Sequence, residues 1–176
     1  MKVRHLIPAL AASALLVAGC SDDTPSKPVS APVMPASSQA STAASTSAKT
    51  PGVYAPTDVG VSKSTGVEVS ILSVEDVVSR YGPVSVFTFQ LHNAGDKVFE
   101  GYNFPTPTLV YGAAGSPAEH RVSISEGYGD GVKGAVPPGS RQTVKYAYDV
   151  TKDKLSPAVV SAGSVIWQGD FSTFQR

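Results

Sequence analysis

A few side chains in this 176-residue chain are of types that could do chemistry. Cys20 is the only thiol, so an intrachain disulfide and a paired-cysteine metal or redox site are both excluded. His92 and His120, with Asp96 and Glu119, are of types that ligate a divalent metal. Their spacing opposes a shared ion: Glu119 and His120 are adjacent, so on a strand they face opposite ways, and His92 falls on the polar face of an alternating segment. Both histidines therefore read as solvated surface groups, and no metal site is expected. A nucleophilic serine needs a strained turn beside a base, yet no G-x-S-x-G occurs and the serines concentrate between residues 21 and 57. Glu75-Asp76 reads as a turn closing a strand. The run EGYGDG, residues 126–131, lacks the lysine and the strand-to-helix setting of a phosphate loop and reads as a mobile loop. No catalytic residue and no cofactor are expected.

The cysteine is explained by what precedes it. Lys2 and Arg4 open a short basic segment, and Leu6 to Gly19 is apolar except for Pro8 and Ser13, the pattern of a secretory signal. As a helix such a run rises only about 21 Å, short of the roughly 30 Å hydrocarbon core. Val17-Ala18-Gly19-Cys20 resembles the bacterial lipobox, in which a branched apolar residue and two small ones precede a cysteine. The resemblance implies a diacylglyceryl group on the Cys20 sulfur and cleavage between Gly19 and Cys20. Two or three acyl chains, at about 0.8 kcal/mol per buried methylene, would hold the chain on a membrane. The alternative, an ordinary cleaved signal, leaves the cysteine to chance. Ser21 is not the Asp that marks inner-membrane retention in enteric bacteria, and the choice between inner and outer membrane stays open.

From Cys20 to Thr57 the composition suits a tether. Of the 37 residues from Ser21 to Thr57, 26 are Ser, Thr, Ala or Pro with no apolar periodicity, too little to offset the entropy of ordering, so a disordered linker is expected. A flexible coil of that length spans about 35 Å. Removing residues 1–19 leaves 12 basic against 14 acidic side chains, a net charge of −2, which is no footprint for nucleic acid.

From 58 to 176 short alternating segments replace this pattern, predicting an all-β domain, an antiparallel immunoglobulin-like sandwich of about seven strands. Val67, Val69 and Ile71 share one face, and the phase slips at Leu72 and Val74 as a bulge requires. Phe87, Phe89 and Leu91 alternate with Thr88, Gln90 and His92; Val144, Tyr146, Tyr148 and Val150 alternate with Lys145, Ala147 and Asp149. Asn93-Ala94-Gly95-Asp96 and Pro137-Pro138-Gly139 supply turns. PTLVYG and SVIWQGDF are further strands.

The segments QLHNAGDKVF and PPGSRQTVKYAYDV resemble, over about residues 60–170, the telokin-like, DUF4352-type immunoglobulin-like domains common on bacterial lipoproteins. Residues 112–134 are longer and richer in glycine than that pattern. The resemblance implies a sandwich of binding or structural role. A membrane-anchored, extracytoplasmic, non-enzymatic binding module is therefore the expected function, with a protein or small ligand as partner; a structural envelope component and an extracytoplasmic hydrolase are the alternatives. Loops at the ends of a sandwich are held by rigid sheets and often bind. Tyr102 and Phe104 in EGYNFPTP and Tyr128 in SEGYGDG are the expected partner surface, since aromatic rings offer large contact area at low entropic cost.

Overall fold

A computed structural model describes residues 52–176. Residues 1–19, Cys20, the Val17-Ala18-Gly19 motif and most of the expected linker lie outside them. The longest alternating stretches form the longest strands. Glu68–Ser79 (β3) and Gly82–His92 (β4) make an antiparallel hairpin, and Arg141–Tyr148 (β10) pairs antiparallel with the other side of β4. Gly60–Val61 (β2) and His120–Arg121 (β8) complete this sheet in the order β2-β3-β4-β10-β8. Val53–Tyr54 (β1), Thr108–Tyr111 (β6), Ser116–Pro117 (β7), Ala158–Ala162 (β11) and Val165–Gly169 (β12) form the second sheet, ordered β1-β12-β11-β6-β7. Phe99–Glu100 (β5) and Ala135–Val136 (β9) pair as a separate ribbon.

The fold is the expected all-β sandwich. Phe87, Phe89 and Leu91 of β4 are all buried, as are Val144, Tyr146 and Tyr148 of β10, and they meet Leu109, Val160, Val165 and Trp167 of the opposite sheet in one core. Phe89 ties the layers, lying 6.1 Å from Trp167, and within one sheet Phe87 meets Tyr148 edge-on at 5.6 Å, the orientation that sets ring edge against ring face. Polar tips find partners. Trp167 Nε1 donates to the Asp58 carbonyl at 3.1 Å, and the Tyr148 hydroxyl to that of Pro107 at 2.8 Å. The register of β3 against β4 shifts between Ile71 and Ser73, the bulge that Leu72 predicts.

Two expectations are corrected. The fold starts ahead of Asp58, because β1 pairs in parallel with β12 and Tyr54 packs on the core; a Ser/Thr/Pro-rich composition does not reveal a two-residue strand. That pair is also the parallel exception to an otherwise antiparallel sandwich. Glu75 and Asp76 sit inside β3, opposite Val86 and Ser85, and the turn falls at Arg80-Tyr81. Charges there mark a strand edge facing water, which a reading of local turn chemistry mistakes for a loop.

Candidate functional site

The loop from Ser62 to Gly66, the residues after β5 and the β11–β12 hairpin come together at one end of the sandwich and enclose a cleft of about 180 Å³. Val67, Val69, Phe99 and Phe104 form its apolar floor and wall; Ser62, Ser64, Thr65, Ser164 and Asn103 supply hydroxyls and an amide. No ionisable side chain lines it. The cleft is smaller than the roughly 300–1,000 Å³ of a drug-sized pocket, so it suits one ring or one side chain. A second hollow of about 280 Å³ shares Ser64, Thr65, Phe99 and Asn103 with it and adds Asp96, Lys97 and Glu100. Together they make a groove with a neutral end and an ionic end.

Local chemistry holds these walls. A 3-10 turn at Gly101–Asn103 follows β5 directly. A Cβ on Gly101 would sit 2.4 Å from the Gly134 carbonyl oxygen, so only glycine lets the two chains close and Gly101 N donate to that oxygen at 2.8 Å. Lys63 N donates to Ser164 Oγ at 3.3 Å, bridging the two rims. Asn93, buried on the floor of the second hollow, donates through Nδ2 to the carbonyls of Lys97 at 2.7 Å and Val136 at 2.8 Å and accepts from Gly95 N at 3.2 Å. One side chain thus fixes the turn after β4 to the strand before the Pro137-Pro138-Gly139 turn.

The expected surface residues separate. Tyr102 is 83% exposed beside the cleft. Phe104 is half-buried, lines the cleft and packs 6.5 Å from Tyr146. Tyr128 is a correction, being only 3% exposed. Its ring covers Val84, Val86 and Ala147, which form an apolar patch on the outer face of the β3-β4-β10 sheet, and its hydroxyl donates to Glu126 at 2.7 Å. Val84 and Val86 are in phase with Thr88 and Gln90, and apolar residues on a nominally wet face are the signal that something covers them. The 126–131 run is accordingly a held loop. Tyr128 and Ser123 exchange backbone hydrogen bonds at 3.0 and 3.1 Å, and Gly129 N donates to Lys145 O at 2.8 Å. Arg80 reaches Ser125 and Glu126 from the β3–β4 turn. The Ser123 and Tyr128 hydroxyls, with Arg80, hold the Glu126 carboxyl below its usual range.

The histidines lie near opposite ends of β10, His92 on β4 opposite Arg141 and His120 on β8 opposite Tyr148, which is about 24 Å along the strand. His92 keeps its polar face, its Nδ1 2.8 Å from Glu68 Oε2. His120 is not the solvated group expected. It packs against Tyr146 and Tyr148 at 5.5 and 5.9 Å, its Nε2 is buried with no hydrogen-bond partner among the described residues, and burial lowers its pKa. Among the described residues no three His, Cys, Asp or Glu side chains cluster as a metal site would require, and no helix is long and apolar enough to cross a membrane. Comparison with protein-family models, with curated proteins and with solved structures found no match.

Proposed function

We propose that this chain is a membrane-anchored extracytoplasmic binding module, held through a lipid on Cys20 and presenting the end groove to its ligand. The observation that carries the binding reading is the uncharged cleft, where four hydroxyls and an amide surround an apolar floor. That lining suits an uncharged group of single-ring size bearing hydroxyl or amide substituents. Its apolar face would lie on Phe99 and Phe104, and its polar edge would meet Ser64, Thr65 and Asn103. The Val17-Ala18-Gly19-Cys20 motif supports the anchor.

The binding arm is tested by titrating the full chain with an N-acetylhexosamine, which carries a ring, hydroxyls and an amide, and following backbone amide resonances. Shifts confined to residues 62–66, 103–104 and 162–164, weakened by Asn103→Leu, are the expected result. Flat resonances there, or the same shifts in the variant, refute it. The anchor is tested by fractionating cells that express Cys20→Ala: the variant should leave the membrane fraction, and unchanged partitioning refutes a Cys20 lipid.

A further inference from the structure

The β3–β4 hairpin has one long side that nothing in the fold pairs. β2 covers β3 only at Glu68 and Val69, leaving Ser70 to Ser79 with β4 on one side alone. Side-chain direction tells which backbone groups point to the open side, because in a strand residues facing the same way also direct their N–H and C=O the same way. The carbonyl of buried Val67 accepts from Ser62 N at 2.9 Å, and that of buried Ile71 from the Arg176 guanidinium at 2.7 Å, so inward-facing residues of β3 address the open side. Beyond the bulge at Leu72 the inward-facing residues are Val74, Asp76 and Val78. The far end agrees: Val78 lies opposite Pro83, which has no N–H to give it. Among the described residues no hydrogen bond reaches the backbone N–H or C=O of Val74, Asp76 or Val78 from the open side.

We propose that this edge of β3 is a docking site for an extended, basic peptide segment, which adds to the sheet as a further strand. Three donor and acceptor sets about 6.8 Å apart match the repeat of an extended chain. Side chains along the edge narrow the choice. Val78 is 84% exposed and Val77 37%, giving apolar contact, while Glu75 is exposed beside them and favours lysine or arginine on the incoming strand. A second copy is the poorer occupant. Antiparallel pairing about the centre of the free stretch would set Asp76 against Asp76 in a hydrogen-bonded pair about 5.5 Å apart, and like charges directly opposite are destabilising. The site rests on the unpaired edge and is independent of the groove.

The experiment is amide hydrogen exchange on the full chain, with and without a seven-residue peptide of alternating valine and lysine. In the free protein the Val74, Asp76 and Val78 amides should exchange fast. With saturating peptide their protection should rise at least roughly tenfold, and amides around Ser62 and Ser164 should not change. Val78→Pro removes one edge donor without touching the β4 side and should abolish the protection. Should that variant fail to fold, Glu75→Lys decides, since its side chain is exposed: preference should pass from the valine–lysine peptide to a valine–glutamate one. Unprotected edge amides with peptide overturn the proposal, as do protection at another strand, an unchanged preference in Glu75→Lys, or protection that appears with protein concentration alone, the mark of a second copy.

Discussion

Replacing Tyr128 by Ala separates a structural ring from a binding one. Truncating a buried aromatic inside a core costs about 3–5 kcal/mol. Tyr128 is nearly as buried as a core residue, but it covers three small side chains, Val84, Val86 and Ala147, on the outside of one sheet. The loss should therefore lie at about 2–3 kcal/mol, just below that range. Part of it is the hydroxyl: Tyr128→Phe keeps the ring and forfeits the bond to the Glu126 carboxylate, worth about 1.5 kcal/mol. For a domain of this size about 1 kcal/mol moves the melting temperature by roughly 4 °C, so the Ala variant should melt about 8–12 °C lower. Tyr102→Ala, at an exposed ring, should stay within about 0.5 kcal/mol of the parent. Trp167 is the only tryptophan and is fully buried, so its fluorescence in a urea titration reports unfolding directly. A Tyr128→Ala midpoint equal to that of the parent, or to that of Tyr102→Ala, would refute the packing argument and return Tyr128 to the partner surface.

Asn93→Asp changes one atom yet removes both donors to the Lys97 and Val136 carbonyls and buries a carboxylate against them; a loss of at least about 2 kcal/mol is expected by urea denaturation, and a change under about 0.5 kcal/mol would show the amide to be incidental. His120 gives a pH dependence. Burial sets its folded pKa below the ordinary 6.5, so as pH falls the unfolded chain takes up the proton first. The stability tied to its neutral form is fully present above about 6.5 and is lost as pH falls from there through the lower folded value. Denaturation midpoints at pH 8 and pH 5 should fall further apart in the parent than in His120→Gln, and equal differences would show that the imidazole titrates as it does in the unfolded chain.

What could be read from the residues follows the range of the interactions. The β4 and β10 patterns are legible because alternation is local and Phe87 to Leu91 and Val144 to Tyr148 face one core. The Leu72 bulge is legible because a phase slip shows within one strand. The parallel pairing of β1 with β12 joins residues more than a hundred positions apart, and no local pattern encodes it. Tyr128 resembles a binding tyrosine in any window of its own loop, and only the neighbours of Val84 and Val86 make it structural. The cleft was half legible. Phe104 and Tyr102 stand out as aromatics among Gly and Pro, whereas Ser62, Ser64 and Thr65 look like ordinary turn residues until Phe99 and Ser164 arrive beside them.

The pairing of the first strand with the last also decides where the domain would give under force. A pull from the N-terminal side enters at Val53–Tyr54, which two residue pairs hold against β12. Just behind it Trp167, itself on β12 and in the middle of the core, grips the Asp58 carbonyl. Such a pull meets this outer joint first, and Tyr54 adds its packing on the core to the two pairs. Straightened, residues 53–57 span about 17 Å at most, so a pull that opened the pair would draw out that stretch before it reached the bond between Trp167 and the Asp58 carbonyl.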